Sequence, residues 1–150
     1  EDGKEILDTG GGILNMIDKS SDNDFIIFNP DTLWSNDYID EINKMQNFYF
    51  SNKLTNLLLL AHKELGFDKS LKGDFKLKNN LLKKNNNNDF IYIGCQILNR
   101  NLFEKFEIKR FSITEIWNEL LKNHKFNGFE SYEKFYHLTN LETFKKLKDF

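Results

Sequence analysis

The stretch DFIIFNPD, residues 24–31, decides how the chain is interpreted. It begins with a continuous apolar run, short enough for a buried strand, and ends in a turn that carries Asp31. Two similar runs follow, TNLLLLAH at 55–62 and DFIYIGCQIL at 89–98, with other segments between and after them that have helical spacing. Strands that alternate with helices predict an α/β fold with helices on the faces of a sheet.

Periodicity and turn chemistry predict the remaining elements. Helices are expected at 13–17, 37–50, 99–106, 112–123 and 141–147, with Asn140 capping the last. Ser112 and Glu115 have the spacing of a capping box for the fourth helix. Residues 73–84 predict a hairpin that turns at Asn79-Asn80, because asparagine tolerates positive φ. With short strands expected at 126–129 and 134–138, the sheet is predicted to be mixed.

Composition excludes several classes of function. The 150 residues are 39% hydrophobic, which suits one domain over residues 1–150 with its own core. A net charge of −2 lacks the basic footprint of nucleic-acid binding, and the longest apolar run, residues 57–61, is too short to cross a membrane. The single Cys95 forms no internal disulfide, which is typical of a reducing, cytoplasmic compartment. Oligomeric state is not indicated.

Three consecutive glycines, Gly10, Gly11 and Gly12, follow Thr9 directly ahead of an apolar run. A glycine-rich turn that enters a helix exposes backbone N–H groups, so a phosphate or the edge of a base can approach the main chain. The spacing matches neither a dinucleotide fingerprint nor a P-loop. A plain turn is the alternative interpretation.

Asp31 lies just beyond a predicted strand, where ligands of open α/β sheets bind. Mg²⁺ usually takes one or two carboxylates plus substrate phosphates, so a carboxylate at this place is a candidate metal ligand. The alternative is a turn residue after Pro30, or a cap for the segment that follows.

The order of these motifs resembles that of sugar-1-phosphate nucleotidyltransferases, in the branch of N-acetylmuramate-1-phosphate uridylyltransferases and mannose-1-phosphate guanylyltransferases. DTGGGI at 8–13 and NPD at 29–31 are similar to the ETGGGI and N-G-D or N-A-D of that branch. Later motifs also resemble it: GDF at 73–75, FIYIGCQILNRNLFEKF at 90–106, FSITEIW at 111–117 and FYHLTNLETFKKL at 135–147. The resemblance implies a Rossmann-like mixed sheet with helices on both faces.

The resemblance also implies an activity. Such enzymes transfer a nucleotidyl group from a nucleoside triphosphate to a sugar 1-phosphate and release pyrophosphate, using UTP with N-acetylmuramate 1-phosphate or GTP with mannose 1-phosphate. By resemblance, Asp31 is the catalytic residue that binds Mg²⁺. The other implied residues are Thr9, Gly10, Gly11 and Gly12 at the nucleotide, and Gly73, Asp74 and Gly94 at the sugar.

Two features depart from the family pattern. The chain lacks an opening strand with a G-x-G-T-R-L-x-P loop and a following Lys, and it does not begin with Met, so we expect that an N-terminal part is missing and that the chain alone is inactive. The family's second metal-binding Asp falls on His137, and imidazole suits Mg²⁺ poorly. His137 as ligand, an oxygen from Glu130 or Thr139, or Asp31 alone with substrate and water all remain open.

Other hypotheses follow from these departures. His137 motivates a non-catalytic module that binds a nucleotide or nucleotide-sugar. A nicotinamide-dependent domain is disfavoured, because the glycine spacing is wrong. If a base lies against the glycines, Gly11→Val is expected to lower nucleotide affinity with little loss of fold.

Overall fold

A computed structural model describes residues 6–138 and 141–147. In these residues the helices are α1 (Asp8–Ile17), α2 (Asp37–Ser51), α3 (Thr114–Lys122) and α4 (Leu141–Leu147). The strands are β1 (Asp24–Phe28), β2 (Thr32–Leu33), β3 (Asn56–His62), β4 (Lys76–Lys78), β5 (Leu81–Lys83), β6 (Phe90–Asn99), β7 (Gly128–Ser131) and β8 (Tyr136–His137). None of the helices in this part of the chain is long and apolar enough to cross a membrane.

The main sheet has the strand order β1-β6-β3-β7. Strand β6 is antiparallel to both β1 and β3, whereas β3 is parallel to β7. Strands β1, β3 and β7 therefore run in one direction, and their carboxyl ends meet at one edge of the sheet. This arrangement confirms the predicted mixed α/β architecture.

Helices cover both faces of the sheet. One face packs against α1 and α3 through Ile17, Ile116 and Leu120, and the other packs against α2 through Met45 and Tyr49. Strand β3 has apolar side chains at nearly every position because both of its faces are buried. Each large apolar side chain buried in this way contributes about 1.5–3 kcal/mol.

Strand β1 differs from its predicted position. Its apolar run indicates a buried strand, but the structure places it at the edge of the sheet, with β6 as its neighbour. Ile26 and Phe28 are consequently 37% and 45% exposed. An apolar run alone does not distinguish a central strand from an edge strand, because strand order is decided by tertiary contacts.

Helix α3 begins two residues later than expected, and the capping box does not form. The Ser112 hydroxyl accepts from the N–H of Thr114 at 3.3 Å. The N–H of Ile113 donates instead to the hydroxyl of Thr9 at 3.1 Å, across a separation of 104 residues. A distant side chain thus satisfies a donor at the start of the helix.

The other predicted elements lie close to their expected places. Asn79 and Asn80 have φ of 52° and 59°, which confirms the hairpin turn between β4 and β5. The segment 99–106 forms only a short 3₁₀ turn, Arg100–Phe103, and the two late strands are shifted to 128–131 and 136–137. Asn140, the expected cap of α4, lies outside the described residues.

The three glycines lie within the first turns of α1 rather than in a turn before it. The N–H groups of Gly10 and Gly11 donate to the carbonyl of Phe111 at 3.0 and 3.2 Å. A Cβ at Gly10 would lie 2.3 Å from the Phe111 ring, and one at Gly11 would lie 2.2 Å from the Lys109 carbonyl oxygen. Close approach of residues 109–111 therefore requires two of the glycines, whereas Gly12 has nothing within 4 Å of its Cβ position.

We expect Gly11→Ala and Gly12→Ala to change stability in opposite directions. Gly11→Ala forces a methyl group against a backbone carbonyl, and such overpacking costs about 1–3 kcal/mol. Gly12→Ala adds a helix-favouring residue in open space and stabilises by about 0.5–1 kcal/mol. Urea unfolding of both variants measures the difference, and equal losses of stability would contradict the packing described here.

Candidate functional site

Backbone pairing brings Asp31 and His137 together. Asp31 lies in the loop between β1 and β2, and the pairing of β2 with β8 sets Thr32 opposite His137. The N–H of Leu138 donates to the carbonyl of Asp31 at 2.8 Å. The Nε2 of His137 consequently lies 3.8 Å from the Oδ2 of Asp31. The structure thus places the two sequence-predicted metal ligands side by side.

Gly94 in β6 forms the floor beneath this loop. Its φ is +89°, a conformation that favours glycine, and a Cβ there would lie 2.7 Å from the hydroxyl oxygen of Thr32. The Thr32 hydroxyl donates to the carbonyl of Ile93 at 3.1 Å, and the N–H of Asn29 donates to the carbonyl of Gly94 at 2.7 Å. The loop that carries Asp31 packs closely because residue 94 has no side chain.

Asp74 belongs to the same edge of the sheet. Its Oδ2 accepts from the N–H of Tyr92 at 3.0 Å, two residues before Gly94. Partial removal of the carboxylate from water raises the pKa of Asp74, whereas the Tyr92 N–H and the charges of Lys84 and His137 lower that pKa. The hydrogen bond to Tyr92 holds Asp74 against β6, two residues before Gly94.

The segment predicted to contact the nucleotide, residues 9–12, is attached to the residues at the start of α3 and not to the Asp31 loop. The hydrogen bonds of Thr9, Gly10 and Gly11 run to residues 111–113. The expected test variant Gly11→Val needs correction, since its side chain would collide with the Lys109 carbonyl and lower stability directly. Contact of this segment with a base stays a prediction, and Gly12 is the position whose surface is open.

The chemistry of Asp31 fits a hard cation in part. Its Oδ1 is buried and accepts no hydrogen bond from any described residue. Carboxylate oxygens are the protein ligands that Mg²⁺ prefers. Residues 6–138 and 141–147 contain no group of three or more His, Cys, Asp and Glu side chains able to hold a metal ion. A metal at Asp31 would therefore take most of its ligands from substrate or water.

Glu130 and Thr139 are the two residues proposed as metal ligands in place of His137. Glu130 lies on β7, the edge strand farthest from β1, and lines a cavity of about 370 Å³ with Asn79 and Asn80 of the hairpin turn. Thr139 lies outside the described residues. Among the three candidates, His137 is the one that the structure shows beside Asp31.

Sequence reasoning missed Thr32 and Tyr92. The hydroxyl of Thr32 donates to the main-chain carbonyl of Ile93, and the main-chain N–H of Tyr92 donates to the Asp74 carboxylate. Neither residue type signals such a role from its sequence neighbours, because the partners lie 61 and 18 residues away.

Cys95 adjoins Gly94 but is a core residue, as predicted. It is fully buried, and burial raises the pKa of its thiol to about 12. A thiol with such a pKa is almost entirely protonated at neutral pH and is not a nucleophile.

Neither a protein-family model nor a curated protein matches the sequence. Solved structures do match. HddC from Yersinia pseudotuberculosis complexed with GMP-PN is 21% identical, with a TM-score of 0.67 over 95% of this chain and 62% of that one. Apo UDP-glucose pyrophosphorylase is 17% identical, with a TM-score of 0.72 over 97% and 60%. An inositol-1-phosphate CTP transferase from T. maritima is 10% identical, with a TM-score of 0.61 over 83% and 52%.

These similarities establish the fold. The chain spans 62% and 60% of the lengths of the first two proteins, and it shares with them the mixed sheet and its covering helices. The chain therefore has the nucleotidyltransferase-like α/β fold that the resemblance implied.

Because the Cys95 thiol is buried, we expect the free energy of unfolding to decrease at alkaline pH. Because its pKa rises from 9.0 in the unfolded chain to about 12 in the folded protein, its stabilising contribution is complete below pH 9 and is lost as the pH rises toward 12. At pH 10 this loss amounts to about 1 kcal/mol.

Urea unfolding at pH 8 and pH 10 checks this prediction. The Cys95→Ala variant lacks the thiol and serves as the reference, because it keeps all the other titratable groups. The unmodified protein is expected to lose about 1 kcal/mol more than the variant between these pH values. An equal loss in both proteins would show that the thiol is not buried.

Proposed function

We propose that residues 1–150 form the C-terminal part of one sugar-1-phosphate nucleotidyltransferase domain. The observation that carries the proposal is Asp31 beside His137 on a loop packed against Gly94, with a buried Oδ1 that accepts no hydrogen bond from a described residue. This constellation lies at the carboxyl edge of a sheet, where ligands of α/β folds bind. The fold shared with UDP-glucose pyrophosphorylase supports the same conclusion.

The proposed reaction needs positioning more than covalent chemistry. An oxygen of the sugar phosphate attacks the α-phosphorus of the triphosphate in line, and pyrophosphate leaves. Asp31 would hold Mg²⁺, which when bound neutralises negative charge on the phosphates. The absence of a side chain at Gly94 lets the loop that carries Asp31 pack onto β6. Gly94 would line the sugar side with Gly73 and Asp74.

The nucleotide would lie along the start of α1. Thr9, Gly10 and Gly11 form the rigid part of this surface, because their hydrogen bonds to residues 111–113 hold it in place. Gly12 leaves its surface open, and no internal packing explains its lack of a side chain. We assign the closest approach of the base to Gly12.

The substrate pairs that we propose are UTP with N-acetylmuramate 1-phosphate or GTP with mannose 1-phosphate. One structural neighbour is complexed with GMP-PN and another is named for UDP-glucose, so both pairs belong in the assay. We place the reaction in the cytoplasm on the evidence of the single, buried cysteine.

Asp31→Asn is expected to lower pyrophosphate release about a hundredfold or more, because it removes the anionic metal ligand. The assay uses the protein expressed from the complete reading frame, with each substrate pair and Mg²⁺. Asp40→Asn, which neutralises an exposed carboxylate on α2, is the matched control and should retain activity. Release of pyrophosphate by Asp31→Asn at the unmodified rate would refute the role of Asp31.

His137 supports a second candidate, a non-catalytic module that binds a nucleotide or nucleotide-sugar. Imidazole beside Asp31 at 3.8 Å is a poor second ligand for Mg²⁺. This candidate predicts nucleotide binding by calorimetry without turnover, and activity restored in His137→Asp. Turnover by the unmodified complete protein would exclude it.

Gly12→Val tests the nucleotide surface directly. We expect nucleotide affinity to fall about tenfold or more, since a branched side chain holds the base away from the backbone. The free energy of unfolding should not fall, because the Cβ position is open. Met16→Val, at a 72% exposed position of the same helix, is the control. Unchanged affinity of Gly12→Val in calorimetry would remove the base from this surface.

A further inference from the structure

A cavity of about 550 Å³ opens at the same edge of the sheet, beyond the carboxyl end of β3. We call it the basic cavity and define it by its lining residues Lys63, Lys69, Lys72, Gly73 and Asn88, with Glu64 as its acidic side chain. Its volume suits a small ligand of the size of a substituted sugar. Neither the composition nor the sequence motifs indicated this cavity, because lysines occur throughout the chain.

The cavity carries an excess of positive charge. Lys63 lies 3.3 Å from Asp89, but that carboxylate also pairs with Lys76, so one carboxylate serves two ammonium groups. Lys69 donates one of its three N–H groups to the Glu64 carbonyl at 2.7 Å, which leaves two for a ligand. Lys72 forms no ion pair within the described part of the chain.

Hydrogen bonds hold the walls of the cavity in place. The Asn88 amide donates to the Asp74 carbonyl at 2.9 Å, and its side-chain oxygen accepts from the N–H of Asn85 at 2.9 Å. A Cβ at Gly73 would lie 2.3 Å from the Asn88 carbonyl oxygen, so the two loops are in direct contact. Residues 86–88, in an exposed loop of four consecutive asparagines, thus form one wall of the cavity, and Asn88 joins this wall to Asp74.

The basic cavity adjoins the proposed sugar position. Gly73 lines the cavity, and Asp74, the next residue, is hydrogen-bonded to Tyr92 close to Gly94. A sugar that contacts the Gly73-Asp74 segment would therefore have one side directed toward the lysines. An anionic substituent on that side would meet uncompensated ammonium groups.

We propose that the basic cavity binds a second anionic group of the sugar substrate, so that the enzyme selects acidic sugar 1-phosphates over neutral ones. The inference rests on the proposed function and specifies its substrate class. The second group is a carboxylate or a phosphate on the sugar ring. Its attraction to Lys69 and Lys72 decreases with ionic strength, because the cavity is open to solvent.

Titrations of the protein expressed from the complete reading frame, followed by NMR, test the proposal. The three ligands are glucose 1-phosphate, glucuronic acid 1-phosphate and glucose 1,6-bisphosphate, which separate the neutral sugar from the carboxylate and the second phosphate. We expect at least one acidic ligand to bind about tenfold more tightly than glucose 1-phosphate. Equal affinities for all three would overturn the inference.

Two double variants test whether Lys69 and Lys72 bind the second anionic group. The double variant Lys69→Gln/Lys72→Gln should abolish the preference for the acidic ligand and leave affinity for glucose 1-phosphate within about twofold. Lys105→Gln/Lys109→Gln removes the same charge at exposed positions outside the cavity and should keep the preference. A similar loss in both double variants, or inorganic phosphate bound as tightly as the bisphosphate, would overturn a built sugar subsite.

Titration of the same samples with UTP and GTP distinguishes failure of this inference from failure of the proposed function. Binding of UTP or GTP without preference among the sugar phosphates refutes the inference but leaves the proposed function standing. Failure of the complete protein to bind any nucleotide or sugar phosphate refutes both.

Discussion

The site depends on one constraint, the absence of a side chain at Gly94. Strand β6 passes there with φ of +89°, and the loop after β1 packs directly onto it through Asn29 and Thr32. This contact holds β2 close to β6. The pairing of β2 with β8 then sets His137 beside Asp31. A larger residue at 94 would displace the loop and separate the two side chains.

The sheet beneath the site is rigid because it is packed on both faces. Apolar side chains of β3 and β6 are buried between α2 on one side and α1 with α3 on the other. The contact between α1 and residues 109–113 joins the glycine segment to the start of α3 through Phe111 and Thr9. Two of the three glycines, Gly10 and Gly11, are therefore required by this packing alone.

Opposite charges occupy neighbouring parts of the carboxyl edge. Asp31 lies beside His137, Asp74 is hydrogen-bonded to Tyr92 of β6, and the lysines of the basic cavity lie beyond Gly73. The substrate that we propose carries phosphates, so it would need a cation at the acidic part of this edge and would meet ammonium groups at the basic part. In that proposal, the distribution of charge would orient a ligand that is anionic at both ends.

The sequence by itself determined the main strands, most of the helices and the hairpin turn, because burial on both faces selects continuous apolar runs such as Leu57–Leu60 and Asn-Asn favours a tight turn. Motif order also indicated Asp31, His137, Gly73, Asp74 and Gly94, and the structure brings them to one edge. Only tertiary structure decided that β1 is an edge strand and that Thr9 reaches α3. It also decided that lysines converge on one cavity. These features depend on contacts between residues far apart in the chain, and such contacts cannot be predicted from local composition.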